Sequence, residues 1–444
     1  MTAFKKVMES KTVKEAVCNV PDGFFNFMSS LLIFAFMINP LLILIRKQLL
    51  PFVPDSSNSI NRITLMIGIP LLVLFAARHL LLGKKLNVKL FLKSNLPITL
   101  FLAFGAAMIV TTLINGHFDT TLFGNAYRDE GLFGFLSYIV YFILVIMNNS
   151  SKHKKVWIYT FAASSAIISA AVIFECYVHG THTIDFIFSH YNHLGYYLVT
   201  AFGVSAMLVI TAEKVWQKAV FAVSGFATAL ALIANDTFGC QLAAVAGVIF
   251  ICVMYSIAKS RFKAVTLVPA AILVFAVVFG YATSDRINGL ISANLLQTAN
   301  DSQAIVHGKE EAEFSTGVSR MILWEMGVDY IIEKPLTGHG ADVTGDEMQN
   351  LSNDSDRCHC EYMNYAISFG IPAVLLYISA VFAVYLRGLL AKGKLTEINL
   401  IGLGAAMFYL ISAVVGNTMY YTAPFLFILL GMGYFSETAS TSEQ

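Results

Sequence analysis

The stretch FFNFMSSLLIFAFMINPLLILI, residues 24–45, contains no charged side chain along its whole length. A helix needs about 20 mostly apolar residues to cross the hydrocarbon core of a bilayer. Basic residues precede this stretch, but it is longer than the apolar core of a signal peptide, and no small-residue cleavage site follows it. It therefore predicts a transmembrane helix that is retained in the mature protein.

Eleven further apolar stretches of similar length follow. With the first, the predicted spans are residues 24–45, 63–82, 97–115, 132–148, 155–178, 193–212, 216–234, 239–258, 264–283, 361–386, 398–416 and 418–435. They predict an all-α fold, a polytopic membrane bundle of 12 helices. Only the segment 284–360 is long enough to be more than a connector. The expected regions are nine spans in 1–283, an extracytoplasmic loop at 284–360, and three spans with a cytoplasmic tail in 361–444.

The composition agrees with a bilayer as the main solvent. Of 444 residues, 57% are hydrophobic and only 13% are charged, whereas soluble domains carry about 25% charged residues. The formal net charge is +1 and there are six cysteines. This balance leaves no basic field for a nucleic acid, and the cysteines are too sparse for a disulfide-stapled secreted domain. We expect a lipid bilayer as a partner and no nucleic acid.

The distribution of basic residues predicts the orientation, because Lys and Arg near span ends stay on the cytoplasmic side. With the N-terminus inside, 20 of the 29 Lys and Arg residues fall in inner segments. Between Asp285 and Arg357 the long loop has 13 Asp and Glu against five Lys and Arg, a net charge of −8. We therefore expect both termini in the cytoplasm, the protein in the cytoplasmic (inner) cell membrane, and the loop outside.

The second half of this loop has a helical pattern. Ser315 or Thr316 can cap a short helix whose apolar residues mostly recur at helical spacing, and Pro335 stops it. Arg320 and Trp324 would lie one turn apart on the same flank. We expect this helix to lie on the outer membrane surface.

Several motifs follow one another in this region. They are Arg320-x-x-x-Trp324, Pro335-x-x-Gly338-x-Gly340, His359-x-x-Tyr362-Met363 and Gly370-Ile371-Pro372. Their order and spacing resemble the O-antigen ligase/O-antigen polymerase family of multi-pass membrane proteins, which have one large outer loop late in the chain. Smaller similarities are YRDEGLFGFLSYIVYF, around the start of the fourth span, and YNHLGYYL, which opens the sixth.

The resemblance implies a glycosyltransferase that works outside the cytoplasmic membrane without a nucleotide sugar, a metal or another cofactor. Its donor would be a glycan on a polyprenyl diphosphate such as undecaprenyl diphosphate. Its acceptor would be a sugar hydroxyl on a lipid-linked or wall glycan, in the assembly of a cell-surface polysaccharide. The loop histidine and the loop arginine of the family correspond to His359 and Arg320.

These residue types suit the implied reaction. An imidazole titrates near neutral pH and can take the proton of an attacking hydroxyl, which is the role expected for His359. Guanidinium groups bind a diphosphate through planar, permanently charged forks. Arg320 is the first candidate, and Arg128, in a short outer loop, is the second. We further expect four substrate-binding residues: Trp324, Gly338, Gly340 and His193.

The sequence departs from the family pattern at two places. Many members carry an arginine in a Ser-Arg-Gly element at the outer end of a middle span, where this chain reads ANDTFGCQLAAVAG, residues 234–247. Either Arg128 replaces that arginine or the donor differs, and Asp236 is interpreted as the cap of the eighth span. The residue after the family histidine is Cys360 instead of asparagine.

Two features of the loop invite a metal site but favour other interpretations. Cys358-x-Cys360 has no second paired motif, as a structural zinc site would require, so free thiols are expected. The loop also has an acidic cluster without the ordered spacing of a calcium loop, and it is interpreted as a solvated surface. Its members are Asp342, Asp346, Glu347, Asp354 and Asp356.

Two alternative functions stay open. A polymerase of the O-antigen or capsule type shares the same motifs as a ligase. A 12-span transporter or polysaccharide exporter is less favoured, because carriers with two six-span halves place their long connection after the sixth span and inside.

Overall fold

The structure is a computed structural model. It describes all residues except 1, 50–56, 84–94, 126–127, 181–186, 189, 261, 286, 290–291, 293–319, 353–354, 392, 418 and 436–444. The helices are α1 Thr2–Met8, α2 Val13–Asn19, α3 Asp22–Leu49, α4 Ser57–Leu81, α5 Leu96–Asn115, α6 Phe118–Thr121, α7 Leu132–Met147, α8 Ser151–Phe174, α9 Tyr191–Thr211, α10 Val215–Ala234, α11 Phe238–Lys259, α12 Val268–Thr283, α13 Arg320–Glu333, α14 Gly345–Ser352, α15 Glu361–Phe369, α16 Ile371–Leu390, α17 Glu397–Ser412 and α18 Ala423–Gly433.

The prediction of an all-α polytopic membrane bundle is confirmed. Within the described residues, ten helices are long and apolar enough to cross a bilayer: α3, α4, α5, α8 to α12, α16 and α17. Two shorter apolar helices, α7 and α18, correspond to the predicted fourth and twelfth spans. Each predicted span therefore contains an apolar helix.

The tenth and twelfth predicted spans are interrupted or shortened in the structure. The tenth, predicted at 361–386, is two helices, because the chain breaks between α15 and α16 at Gly370, with φ of 83°. Pro372 then opens α16, where its missing N–H costs no helical hydrogen bond. The twelfth, predicted at 418–435, begins as a helix only at Ala423 and contains 11 residues.

The core of the bundle forms around α9. Of its most apolar stretch, 94% is buried inside the protein, against 22% for the span that contains α12. Helix α9 packs on α10, α11 and α17, while α17 packs on α18 and α18 packs on α7. Helices α4 and α12 expose apolar side chains such as Met66 and Val274, as expected of lipid-facing helices.

The loops alternate between the two ends of the bundle. At one end Asp22 pairs with Arg78, and Lys155 Nζ lies 3.1 Å from Glu397 Oε2. At the other end, Arg62 Nη2 at the start of α4 lies 2.8 Å from Asp129 Oδ1, just before α7. This second end also carries the loops before α9, α15 and α18, and it is called the loop end below.

Helices α17 and α18 approach each other through glycine. A Cβ atom at Gly402 would lie 2.4 Å from the backbone nitrogen of Gly433 and 2.5 Å from the carbonyl oxygen of Leu429. Small residues allow such close helix packing, which supplies much of the association energy of membrane helices. Any side chain at Gly402 must push the two helix backbones apart.

We therefore expect Gly402→Ala to destabilise the bundle by about 1–3 kcal/mol, the usual cost of overpacking a close-packed core. Thermal unfolding of the purified protein in detergent measures this change. Gly23→Ala is the matched control, because a Cβ at Gly23 meets nothing within 4 Å. Equal melting temperatures for the two variants would contradict the close approach of α17 and α18.

Candidate functional site

A polar cavity of about 150 Å³ opens at the loop end. Five parts of the chain line it: the loop before α7, the start of α9, helix α14, the loop before α15 and the loop before α18. The side chains discussed below are Arg128, His193, Asp356, His359 and Asn417. The cavity therefore brings together two of the expected charged or titratable site residues, Arg128 and His359, with the expected binding residue His193.

Arg128 is held in the cavity by a fork of two hydrogen bonds. Its Nε donates to Asp356 Oδ2 at 2.5 Å, and its Nη2 donates to Asp356 Oδ1. Both side chains are buried, with 7% and 8% of their surface exposed. Its Nη1 faces His193 Nε2 and the sulfur of Met419, each at 3.4 Å. Such a bidentate pair is the geometry that arginine also uses for phosphate.

The position of Arg128 is fixed by its own loop. The backbone nitrogen of Arg128 donates to Asn125 Oδ1 at 2.7 Å, and the nitrogen of Asp129 donates to the carbonyl oxygen of Asn125 at 2.8 Å. Asn58 on α4 donates to the carbonyl oxygen of Asp129 at 3.3 Å. These bonds tie the loop to α4 and turn the Arg128 side chain towards the cavity.

His193, on the first turn of α9, connects Arg128 to the loop before α18. Its Nδ1 lies 2.6 Å from the hydroxyl oxygen of Tyr421. Because a guanidinium group only donates, Nε2 must accept from Arg128, so the proton is on Nδ1 and is donated to Tyr421. His193 is therefore a neutral hydrogen-bonding partner of both Arg128 and Tyr421.

His359 also lines the cavity. Its Nε2 is 3.4 Å from Ser355 Oγ and its Nδ1 is 3.5 Å from Asn417 Nδ2. Asn364 on α15 holds Asn417 by donating to its Oδ1 at 2.8 Å. The backbone of His359 is in the left-handed region, with φ of 52°. Such a conformation is uncommon for a residue with a side chain and persists where the surrounding structure requires it.

The two cysteines that flank His359 point away from the cavity. Both are buried, and they belong to a small apolar cluster with Leu323 and Tyr330 of α13. Cys358 Sγ donates to Asn364 Oδ1 at 3.0 Å. Burial raises the pKa of the Cys358 thiol to about 12, so it stays protonated at neutral pH. The cysteines anchor the backbone on each side of His359 and leave its imidazole directed into the cavity.

A second buried arginine, Arg357, connects the loop before α15 to the loop before α7. Its Nη1 donates to Glu130 Oε2 at 2.7 Å, and its Nη2 donates to Asp342. Glu130 is fully buried and also accepts from the Tyr138 hydroxyl at 2.6 Å. Burial alone would lower the pKa of Arg357, but Asp342 and Glu130 outweigh burial and raise it well above its ordinary value.

The interpretation of the acidic cluster as a solvated surface is wrong for two of its members. Asp342 and Asp356 are buried partners of arginines, with 3% and 8% of their side chains exposed. Asp346 and Glu347 are exposed, as expected. Asp354 lies outside the described residues.

Gly338 and Gly340 lie outside the cavity, where they attach the end of α13 to α15. The nitrogens of His339 and Gly340 donate to the carbonyl oxygens of Ile367 at 2.7 Å and Ser368 at 3.0 Å. A Cβ at Gly338, where φ is 61°, would lie 2.6 Å from the oxygen of Ile367. This motif therefore positions the helix that follows His359.

The helix predicted in the outer loop is present as α13, which begins at Arg320. Trp324 packs against the apolar cluster that contains the two cysteines and is not among the cavity-lining residues. The side chain of Arg320 and the predicted caps Ser315 and Thr316 lie outside the described residues. Val328 and Ile332 on α13 expose apolar side chains, and so does Leu336, which follows the helix.

The interpretation of Asp236 as the cap of the eighth span is wrong. Thr237 occupies the N-cap position of α11. Its hydroxyl accepts from Asn235 at 2.8 Å and lies 3.4 Å from the carbonyl oxygen of Tyr191. This region therefore joins α11 to the start of α9, and Asp236 itself has a left-handed backbone with φ of 56°.

Sequence reasoning missed most of the groups that neutralise the arginines. The carboxylates Asp356 and Glu130 were not assigned to the site. Arg357 and Asn417, which faces His359, were not assigned to it either. Arg128 and Arg357 each have an acidic neighbour in the sequence, which could have indicated an ion pair. The carboxylates that pair with them, however, come from other parts of the chain. Arg128 and Asp356, for example, are separated by 228 positions.

Comparison with known proteins agrees with the motif pattern. A family model described as O-antigen ligase matches residues 222–378. The match covers α11 to α15 with parts of α10 and α16, and it includes Arg320, Asp356 and His359 but not Arg128. A comparison with curated proteins gave no match. The resemblance expected from the motifs is confirmed, and residues 222–378 of this membrane protein match the model of the O-antigen ligase family.

Proposed function

We propose that the protein is a membrane glycosyltransferase that transfers a glycan from a polyprenyl diphosphate to a sugar hydroxyl at the outer face of the cytoplasmic membrane. The observation that carries this proposal is the cavity at the loop end, which combines a buried arginine fork with an imidazole. An O-antigen ligase family match over His359 supports the reaction class.

The donor would bind with its diphosphate at Arg128. As the glycosidic bond breaks, its electron pair moves to the diphosphate oxygen and negative charge grows there. A buried guanidinium stabilises such charge more strongly than it would in water. The prenyl chain can stay in the bilayer, because the cavity lies at the ends of membrane helices.

The acceptor would lie near His359. Its hydroxyl oxygen attacks the anomeric carbon, and the hydroxyl proton passes to an unprotonated ring nitrogen of His359. Asn417 and Ser355, next to the two ring nitrogens, would orient the imidazole. The products are the new glycoside, the polyprenyl diphosphate and a protonated His359, which then releases its proton to water.

We also propose that the loop end faces outwards. The cavity residues come from the loops before α7, α9, α15 and α18, all of which the distribution of Lys and Arg assigns to the outside. The proposed regions are then nine spans in 1–283, an outer loop at 284–360, and the remaining spans with a cytoplasmic tail in 361–444.

We expect His359→Ala to lower glycan transfer by about 10²–10⁴-fold, the usual contribution of a general base. Arg320→Ala is expected to abolish transfer as well, because Arg320 corresponds to the loop arginine of the family. The measurement is product formation by purified protein in detergent from a polyprenyl-diphosphate glycan and an acceptor, where vectorial transport is impossible. His179→Ala is the control, because His179 is exposed and bonded to Glu175. Full transfer by both variants would refute the proposed mechanism.

We expect Arg128→Lys, which keeps the charge but loses the fork, to reduce kcat/KM by about 10- to 100-fold, as loss of one charge-assisted hydrogen bond implies. Arg62→Lys is the matched control, because Arg62 is half-exposed and outside the cavity. Donor titrations of both variants give the comparison. Identical kinetics for the two variants would exclude Arg128 from the donor site.

Orientation can be tested with single introduced cysteines. A membrane-impermeant maleimide added to intact cells should label Asp346→Cys, on the exposed side of α14, and should not label Glu213→Cys, between α9 and α10. The native protein measures the background from its own thiols. Labelling of Glu213→Cys alone would reverse the proposed orientation.

A further inference from the structure

The fork of Arg128 is already occupied by a carboxylate of the same chain. Asp356 binds Nε and Nη2 together, which is the edge of a guanidinium that matches two phosphate oxygens. The remaining nitrogen, Nη1, faces His193 and Met419. A diphosphate therefore cannot bind the forked edge of Arg128 while Asp356 holds it.

The charge of Asp356 persists at neutral pH. Burial would raise the pKa of this carboxyl, but its hydrogen bonds to Arg128 and the charge of Arg128 outweigh burial, so the pKa lies below its ordinary value. A diphosphate that entered next to this carboxylate would be repelled in a setting of low dielectric constant. The two anions must compete for one site.

The neighbouring arginine cannot take over the diphosphate without a similar exchange. Arg357 is bound by Glu130 and Asp342, so these two buried arginines face three carboxylates in all. Glu130 is fully buried, whereas Asp356 lines the cavity beside Arg128. Asp356 is therefore the carboxylate that a ligand in the cavity meets first.

Asp356 can leave Arg128 without breaking a helix. It lies in the non-helical segment 355–360, between α14 and α15, and Arg128 lies in the non-helical turn before α7. Arg357, the next residue, already attracts the Asp356 carboxylate and lowers its pKa. A displaced Asp356 would thus keep one favourable charge nearby.

We infer that Asp356 is a built-in competitor of the donor diphosphate, which holds the Arg128 fork in the empty site and releases it when the diphosphate binds. This inference rests on the proposed function, because it assumes that Arg128 is the diphosphate site. In this role Asp356 weakens the binding of any anion at Arg128, because the anion must first displace the Asp356 carboxylate.

The test is equilibrium binding of farnesyl diphosphate to the purified full-length protein in detergent. Asp356→Asn removes the charge but keeps a side-chain oxygen that can accept from Arg128. We expect it to bind the probe about 10- to 100-fold more tightly than the native protein, the range that one charge-assisted contact covers. A purely structural role of Asp356 would give weaker binding, since Arg128 would lose its support.

Asp129→Asn is the matched control. It removes the same charge one residue from Arg128, but Asp129 pairs with Arg62 outside the cavity. Its left-handed backbone, with φ of 51°, suits asparagine. We expect its affinity for farnesyl diphosphate to equal that of the native protein. Equal tightening in both variants would mean a general charge effect and would overturn the inference.

The remaining outcomes separate the two proposals. If the native protein binds farnesyl diphosphate and Asp356→Asn binds it equally or more weakly, the competitor role is wrong and the proposed function stands. If no variant binds the probe, the diphosphate site and the inference both fail. Asp356→Ser provides a second neutral variant in case Asp356→Asn does not fold, and the same tightening is expected of it.

Discussion

The buried ion pairs of Arg128 and Arg357 are the interactions on which the loop end depends. They hold the turn before α7 against the segment between α14 and α15, two parts of the chain that share no helix. Removing one partner of such a pair leaves an uncompensated buried charge, which costs about 3–5 kcal/mol. The shape of the cavity therefore depends on these few contacts, while the buried cysteines direct His359 and the segment with Gly338 and Gly340 positions α15.

The two buried arginines differ in their partners and in their access to the cavity. Arg357, with two carboxylates, is the more heavily compensated of the two arginines and serves to hold the loops together. Arg128 has its carboxylate on the cavity wall, next to a neutral histidine, and is the arginine that a ligand can reach. The charges that shape the site are therefore divided between an arginine that joins two loops and an arginine that lines the cavity, although both are buried to a similar extent.

The sequence predicted the membrane helices well, because each apolar run of suitable length has few alternatives in a bilayer. It predicted Arg128, His193 and His359 as members of one site, because all precede or open helices on the same side. The ion-pair partners could not be predicted, since Asp356 and Glu130 find their arginines through tertiary packing. The break at Gly370 was also missed, because residues 361–386 are mostly apolar and hydropathy does not detect where one helix ends and the next begins. The glycines at 338 and 340 were recognised, but their role is to let two backbones approach.

The short length of α18 has a consequence for the depth of the cavity. At about 1.5 Å per residue, the 11 residues of α18 extend only about 16 Å, roughly half of a hydrocarbon core of about 30 Å. The non-helical residues before α18 therefore lie below the level of the lipid headgroups if the other end of α18 reaches the opposite surface. Irregular backbone is tolerated at that depth only when it is enclosed by protein or lines a water-filled cavity, and Asn417, Met419 and Tyr421 are indeed buried. With α18 placed in this way, the floor of the cavity would be a recess within the membrane, and in the proposed reaction the donor lipid would bend its headgroup inwards to reach it.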